Sequence, residues 1–304
     1  MQLAWILILD TVYGNYMRMS RSGGNFDNFY FTVNGKFSLL FDTGSSHTWI
    51  VSNRFRHGGM DVARNRIFPC SRRVMYGSGN EISASQCVFG QLYSDKIAWE
   101  SEVLVPVGPV AWWRHHGLVG ASFESAFVKK HPVFTVAPST DHMRLYTQNF
   151  AGSMAVFTPI TSQEYGKWIV QGNVDVGMKR VNIELEIDTG YPALSLSRSL
   201  WDEFTRVIRM NGGVVTGEIK RSYGHVVDKC THATIPDVFY TFGDWRKRVE
   251  SKYFVSWERT NQCLVYVIVR ESSHPYIYIG TPFLRSTITQ FDAVNRRVGF
   301  RDSL

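Results

Sequence analysis

The chain has 304 residues, a length that suits one or two domains, each with a hydrophobic core of its own. Apolar residues make up 44% of the sequence and charged residues 19%, which excludes a mainly disordered chain. The longest apolar runs, 3–9 and 263–269, are seven residues each. A membrane-spanning helix needs roughly 18 apolar residues, so no integral membrane segment is expected.

Positive charge exceeds negative charge by seven, with 33 Lys and Arg against 26 Asp and Glu. The basic clusters are short and lie far apart in the sequence, at 54–56, 129–130, 246–248 and 296–297. A nucleic-acid groove would need a denser basic stripe interleaved with aromatic residues. We therefore interpret the charge as the solvated surface of a basic globular protein, and we expect no nucleic-acid partner.

Short runs of β-branched and aromatic residues, separated by Gly, Asn, Asp, Ser and Pro, predict β-strands along most of the chain. In chain order the predicted strands are 29–33, 37–41, 48–51, 97–105, 168–170, 181–187, 193–196, 238–242, 264–269, 276–279 and 287–291. The predicted helices are 123–130, 198–210 with Ser197 as its N-cap, and 282–286. Because strands and helices do not alternate regularly, the sequence predicts a mostly antiparallel all-β fold.

One segment of the sequence occurs twice. Leu39-Leu40-Phe41-Asp42-Thr43-Gly44 is followed, nearly half a chain later, by Leu185-Glu186-Ile187-Asp188-Thr189-Gly190. Each copy is followed in turn by an apolar stretch that ends in Gly, at 117–120 and at 277–280. A repeat of this kind predicts two lobes of similar plan, each contributing one Asp-Thr-Gly loop. We place the boundary so that the lobes are 1–155 and 156–304.

A single Asp-Thr-Gly after an apolar strand is an ordinary turn, but two copies in equivalent halves indicate a pair of catalytic carboxyl groups. Two carboxyl groups held about 3 Å apart cannot both ionise, so they share a proton over a range of pH. One carboxylate can take a proton from water while the other group donates a proton to a carbonyl oxygen. The pair Asp42 and Asp188 could then add water to a carbonyl group without a metal or a cofactor, and we expect neither.

The four cysteines fall into two pairs along the sequence, Cys70 with Cys87 and Cys230 with Cys263. No CxxC occurs, and no His lies at ligand spacing from a Cys, so a structural zinc site is not expected. Two local disulfides would indicate an oxidising compartment. Four buried thiols in a cytosolic protein are the alternative that the cysteine count leaves open.

From about residue 29 to its C-terminus, the chain resembles the pepsin-like aspartic proteases. Five ordered motifs carry this resemblance, namely the two Asp-Thr-Gly loops, a flap tip, the first apolar-Gly stretch and a C-terminal signature. They are 41–50, 187–190, 76–79, 116–120 and 278–285, the last continued by 291–292 and 297–300. The resemblance implies a bilobal fold of two antiparallel, barrel-like lobes with a cleft between them.

The resemblance makes Asp42 and Asp188 the catalytic pair. It implies that a threonine from each loop cross-links the two loops by hydrogen bonds, and that the serine after the first loop favours the charged form of Asp42. These supporting residues are Thr43, Gly44, Ser45, Thr189 and Gly190.

The same resemblance identifies the flap that would cover the cleft. Tyr76 would close over the substrate with its hydroxyl near the Trp49 indole, while Gly77 and Ser78 would offer backbone groups. The partner implied is a peptide or protein substrate that binds in an extended conformation, as an added strand.

The residues after the second loop and the N-terminal segment depart from the family pattern. Tyr191 and Pro192 follow the second loop where the family has two hydroxyl residues, so no short hydroxyl reaches Asp188 and Pro192 has no N–H to offer. We therefore expect Asp188 to hold the shared proton. Only 41 residues precede Asp42, so the chain looks truncated or without a pro-segment, and residues 1–10 read either as a strand or as a stunted signal sequence.

The family also has a disulfide in its second lobe, which Cys230 and Cys263 match by their spacing. Cys70 and Cys87 would form a second disulfide at the base of the flap, a local variation. We predict both disulfides, and with them a secreted, lysosomal or endosomal location.

The function predicted is an aspartic-type endopeptidase that acts at acidic pH, prefers apolar side chains and is a monomer. The alternative is a catalytically weak homologue that binds peptide or protein without turnover. An unrelated β-rich binding module is a third possibility.

Overall fold

The structure, a computed structural model, describes residues 16–21, 29–51, 66–75, 81–106, 116–139, 142–162, 166–219, 224–259, 261–271 and 276–303. Within these residues the chain is mostly β-strand. The strands are β1 (Tyr16–Arg21), β2 (Phe29–Val33), β3 (Phe37–Asp42), β4 (Thr48–Ile50), β5 (Arg66–Met75), β6 (Glu81–Ser94), β7 (Ile97–Pro106), β8 (Gly117–Gly120), β9 (Val133–Pro138), β10 (Met143–Tyr146), β11 (Val156–Ser162), β12 (Ile169–Val176), β13 (Lys179–Ile187), β14 (Leu194–Ser197), β15 (Val214–Ile219), β16 (Gly224–Asp228), β17 (Val238–Phe242), β18 (Trp245–Val249), β19 (Val255–Arg259), β20 (Gln262–Arg270), β21 (Tyr276–Ile279), β22 (Thr287–Asp292) and β23 (Arg297–Asp302).

The helices are α1 (Ala126–Lys130), α2 (Arg198–Met210) and α3 (Thr281–Leu284). Helix α2 has the predicted bounds, and Ser197 lies at its N-cap position but makes no capping hydrogen bond through its side chain. Helix α1 begins three residues later than predicted, because Ser125 Oγ accepts a hydrogen bond from Val128 N and so caps the helix there. In the described part of the chain, no helix has the length and apolar character needed to cross a membrane.

Every predicted strand overlaps an observed strand, and β2, β17 and β21 have the predicted bounds. The sequence prediction missed the long strands β5 and β6. Strand β6 carries polar residues on one face, and its side chains alternate between exposed and buried along most of its length. Such a strand lacks the continuous apolar run on which the prediction depended.

The strands form one sheet in the first half, two sheets in the second half and a central sheet between the halves. The sheet of the first half has the order β5-β6-β7-β4-β8-β3-β2-β1. The second half has one sheet of order β18-β17-β12-β13-β21 and another of order β14-β20-β16-β15, in which β19 also pairs with β20. The central sheet, β1-β10-β9-β22-β23-β11, draws three strands from each side of residue 155. This is the bilobal all-β architecture that the resemblance implies, and the boundary at residue 155 stays a prediction.

Two parallel strand pairs position the repeated loops. Strand β3 pairs with β8 so that Asp42 lies opposite Gly120. Strand β13 pairs with β21 so that Ile187, the residue before Asp188, lies opposite Ile279. Each Asp-Thr-Gly loop therefore emerges beside the apolar-Gly stretch of its own half, although most other strand pairs are antiparallel as predicted.

Aromatic rings from both halves pack together in the core. Phe134 of β9 stacks on Phe291 of β22 with ring centroids 4.6 Å apart, and Trp168 lies 5.0 Å from Phe291. The Trp168 indole also donates a hydrogen bond of 2.9 Å to the carbonyl of Ala121. Burying a large aromatic side chain contributes about 1.5–3 kcal/mol, so these contacts make the two halves depend on one another for stability.

Both predicted disulfides are present. Cys70 is bonded to Cys87 across the β5–β6 hairpin, and Cys230 is bonded to Cys263 of β20. The sequence separations are 17 and 33 residues, so each bond closes a local loop. The alternative of four free thiols is therefore wrong.

Replacing both Cys230 and Cys263 by Ala should lower the free energy of unfolding by about 4 kcal/mol, since the bond restricts a 33-residue loop in the unfolded chain. Urea unfolding of the variant and of the parent, with and without a reducing agent, measures this. The same double change at Cys70 and Cys87 should cost about 3 kcal/mol, because that loop is shorter. A variant as stable as the non-reduced parent would contradict the prediction.

Candidate active site

The two Asp-Thr-Gly loops meet through their threonines. Thr43 N donates to Thr189 Oγ1 over 3.0 Å, and Thr189 N donates to Thr43 Oγ1 over 2.9 Å. Each hydroxyl also donates to a carbonyl of the opposite half, that of Thr43 to Ile187 O and that of Thr189 to Phe41 O. Both threonines are fully buried. This reciprocal set of hydrogen bonds fixes the two loops against each other.

The glycines of the two loops bring the aspartates together. A β-carbon placed on Gly44 would lie 2.7 Å from Asp188 Oδ2, and one placed on Gly190 would lie 2.7 Å from Asp42 Oδ1. No side chain fits at such a distance, so each Gly lets the opposite carboxyl group approach the loop backbone. Each Gly N–H also donates a 2.8 Å hydrogen bond to the aspartate of its own loop.

The apolar-Gly stretches support the loops from behind. Ala121 N donates to Asp42 O in the first half, and Thr281 N donates to Tyr191 O in the second. A β-carbon on Gly120 would lie 2.7 Å from backbone atoms of His47, and one on Gly280 would lie 2.1 Å from Tyr191 O. The two glycines are therefore required by close backbone contact, which explains why the sequence motif repeats.

The two loops differ in the residue that follows the glycine. Ser45 Oγ donates a 2.5 Å hydrogen bond to Asp42 Oδ2. At the matching position, the Tyr191 ring stacks on Tyr278 of β21, with centroids 4.5 Å apart and planes 11° from parallel. Tyr191 thus occupies an aromatic stack, whereas Ser45 contacts the carboxyl group directly.

Burial raises the pKa of Asp188 well above its usual value, and the nearby charge of Asp42 raises it further. The charge of Glu186 and a hydrogen bond with Asp42 act in the same direction, while the charge of Lys167 opposes them. The raised pKa favours the protonated form of Asp188, in the direction expected from the sequence, and the assignment of the shared proton to Asp188 stays a prediction. The leading causes are burial and neighbouring carboxyl groups, rather than the missing hydroxyl at position 191.

Sequence reasoning missed a charged pair beside the two loops. Lys167 Nζ lies 2.6 Å from Glu186 Oε1 and donates a hydrogen bond of 2.8 Å to Gly44 O. A signal was present, because Glu186 interrupts an apolar strand at the position that Leu40 has in the first copy. A charged residue within a buried strand generally needs a partner.

In the described residues, no group of three or more His, Cys, Asp or Glu side chains is placed to hold a metal ion. The chemistry that the described site can supply is that of two adjacent carboxyl groups, of which Asp188 has a raised pKa.

The family model described as eukaryotic aspartyl protease matches residues 144–303, just over half of the chain. The chain belongs to this family.

Three relatives align with most of this chain at low identity. Pregnancy-associated glycoprotein 1 from Bos taurus is 24% identical in an alignment 318 residues long, gaps included, that covers 87% of this chain and 77% of the relative. Penicillopepsin-1 from Talaromyces stipitatus is 24% identical over 294 residues, with coverages of 86% and 74%. Aspergillopepsin-1 from Aspergillus pseudoglaucus is 23% identical over 303 residues, with the same two coverages.

The predicted flap residues Tyr76, Gly77 and Ser78 lie outside the described residues, since they fall in the segment 76–80. Trp49 is fully buried in β4, which pairs with β8 beside the first loop. The predicted contact between Trp49 and Tyr76 therefore stays a prediction.

Replacing Thr43 by Val removes a hydroxyl that accepts from Thr189 N and donates to Ile187 O. Two buried backbone groups lose their partners, so we expect a loss of about 3 kcal/mol in the free energy of unfolding. Thr289→Val is the matched control, because its hydroxyl is buried and has no hydrogen-bond partner among the described residues. Equal losses in the two variants, measured by urea unfolding, would argue against the cross-link.

The raised pKa of Asp188 also predicts how stability depends on pH. The folded state holds this proton more tightly than the unfolded chain, so stability is lost as the pH rises from about 4 through the folded-state pKa. Asp188→Asn does not titrate, and its stability relative to the parent should therefore be higher at pH 7 than at pH 3.5. Unfolding free energies at several pH values test this, with Asp244→Asn in an exposed turn as the control. A difference that does not change with pH would contradict it.

Proposed function

We propose that this protein is an aspartic endopeptidase in which Asp42 and Asp188 activate a water molecule for the hydrolysis of peptide bonds. One observation carries the proposal: the glycine of each Asp-Thr-Gly loop lies against the carboxyl group of the other loop. The two carboxyl groups are within hydrogen-bonding reach of each other, and Asp188 has a raised pKa. Such a pair, with one proton between its members, supplies an acid and a base at a single point.

The reaction would follow from this protonation state. The ionised carboxylate of Asp42 removes a proton from the water, whose oxygen attacks the peptide carbonyl carbon. Asp188 donates its proton to the carbonyl oxygen, which gives a tetrahedral diol. Collapse of the diol breaks the C–N bond as a proton passes from the pair to the leaving nitrogen, so one water and one peptide bond yield a carboxylic acid and an amine.

The substrate class proposed is a peptide or unfolded protein segment that binds in an extended conformation, with apolar side chains beside the scissile bond. A β-rich cleft favours this mode, because an extended chain can add its backbone hydrogen bonds to those of neighbouring strands. The flap residues Tyr76, Gly77 and Ser78 would cover such a chain. The proton on Asp188 supports activity from acidic pH upwards to the point at which the pair loses it.

The second candidate function is peptide binding without turnover. It is favoured by Tyr191 and Pro192, since the Tyr191 ring stacks on Tyr278 and Pro192 has no N–H to donate to a substrate. Two observations argue against this second function. Ser45 donates a hydrogen bond to Asp42, and the threonine cross-link between the loops is complete.

The two disulfides support an oxidising location, either outside the cell or in a lysosomal or endosomal compartment. We also propose that the protein acts as a monomer, with lobes that divide at residue 155, and without nucleic acid.

Asp188→Asn should lower turnover by about 10³-fold or more, because the proton donor is lost while the size of the side chain is kept. Cleavage of acid-denatured serum albumin, scanned from pH 2 to pH 7 with and without pepstatin, measures this. Peptide binding, followed by calorimetry with the same pepstatin, should change much less. Asp244→Asn, the same chemical change in an exposed turn, should leave cleavage unchanged.

Full activity in Asp188→Asn would exclude the proposed mechanism. A parent protein that binds pepstatin but cleaves nothing across the pH range would favour the second candidate function.

A further inference from the structure

A buried charged pair lies next to the two aspartates. The Glu186 side chain has no exposed surface, and the Lys167 side chain is 21% exposed. Their contact of 2.6 Å is an ion pair, and Glu186 Oε2 has no hydrogen-bond partner among the described residues. An isolated buried carboxylate is costly, so a site that keeps one uses it or compensates for it.

The pair reaches the aspartates through Gly44. Lys167 Nζ donates to Gly44 O, and the α-carbon of Gly44 faces the Asp188 carboxyl group so closely that a β-carbon would lie 2.7 Å from Oδ2. Glu186 lies two residues before Asp188, at the end of β13. One ammonium group therefore ties the strand of the second aspartate to the loop of the first.

The other charged and titratable groups around Glu186 come from three further elements. Asp42 ends β3, Arg270 ends β20, and Tyr276 and Tyr278 belong to β21, where Tyr278 pairs with Glu186 in register. The Arg270 guanidinium lies over the Tyr278 ring, 4.4 Å from its centroid. Burial and the charge of Glu186 raise the pKa of both tyrosines, so they stay neutral.

We propose that Glu186 and Lys167 are positioning residues for the aspartate pair. Together with the two aspartates they form a cluster of three carboxyl groups and one ammonium group. In this cluster, Lys167 holds the first loop by its Gly44 carbonyl, and Glu186 places negative charge beside Asp188. The inference rests on the proposed function, because it concerns the pH range over which the same pair works.

The direction of the effect follows from the charges. Burial raises the pKa of Glu186, and Lys167 pulls it down only in part. Burial alone would lower the pKa of Lys167, but the charge and hydrogen bond of Glu186 outweigh it, so the pKa is raised and the ammonium stays charged. Once Glu186 is ionised, its negative charge makes it harder for Asp188 to lose its proton, which extends activity towards neutral pH.

Glu186→Gln should therefore move the alkaline limb of the pH profile of kcat/KM to lower pH, by about one pH unit. The profile is measured on a quenched fluorescent peptide with two adjacent phenylalanines. Glu184→Gln is the matched control, because Glu184 lies on the same strand, one pleat further from Asp188, and bonds Thr161 instead. That control should leave the limb unchanged.

A double variant that combines Lys167→Met with Glu186→Gln measures the effect of the Lys167 ammonium on the pH profile. Loss of its positive charge should move the limb back towards neutral pH, to a position between those of Glu186→Gln and the parent protein. This double variant has no unpaired charge at the site, so the parent can still be compared with it where Glu186→Gln alone does not fold. Lys167→Arg keeps the charge and the donor to Gly44 O, and should largely retain the parent's kcat and limb.

Two outcomes would overturn the inference. One is an alkaline limb that stays in place in both Glu186→Gln and the double variant. The other is an equal change in KM and kcat at every pH with no shift of the limb, which indicates a purely structural role. A carboxyl-carbon NMR titration of the parent and of Glu186→Gln, with Asp188 assigned from Asp188→Asn, follows the same proton directly. It tests the inference even if the protein cleaves no peptide, which separates this failure from that of the proposed function.

Discussion

Four hydrogen bonds between Thr43, Thr189 and the opposite loops set the distance between the two aspartates. Each threonine accepts one backbone N–H and donates to one carbonyl, so every hydroxyl position is used in both directions. The loops come from separate halves of the chain, and this link holds the two carboxyl groups close together although like charges repel. The aromatic packing of Phe134 and Phe291 beneath them holds the halves in the same relation.

The closeness of the carboxyl groups has a chemical consequence because Asp42 is buried and Asp188 is partly buried. Like charges at short range in a low-dielectric surrounding interact strongly, so the pair retains a proton that two separate aspartates would lose. The loops are nearly symmetric, with matching glycine donors to each carboxylate. The asymmetry comes from Ser45, which bonds Asp42, and from Glu186, whose charge acts on Asp188.

The residues around the second Asp-Thr-Gly loop differ from those around the first. Tyr191 stacks on Tyr278, and the Arg270 guanidinium also lies over the Tyr278 ring. This stack and the pair formed by Lys167 and Glu186 replace small or apolar groups by charged and aromatic ones next to Asp188. The backbone of the loop is unaffected, since Tyr191 N still bonds Asp188 O as Ser45 N bonds Asp42 O.

The repeated Asp-Thr-Gly loops, the all-β class and helix α2 could be predicted from local patterns, since they depend on turn residues, alternation and spacing. The cysteine count alone left the disulfides open, and the resemblance to the pepsin-like aspartic proteases implied the one between Cys230 and Cys263. Three features follow only from the folded chain: Gly44 lies against Asp188, Lys167 pairs with Glu186, and β6 is a long strand with one polar face. These contacts join residues that are far apart or rest on burial, and burial is a property of the packed chain that no single segment encodes.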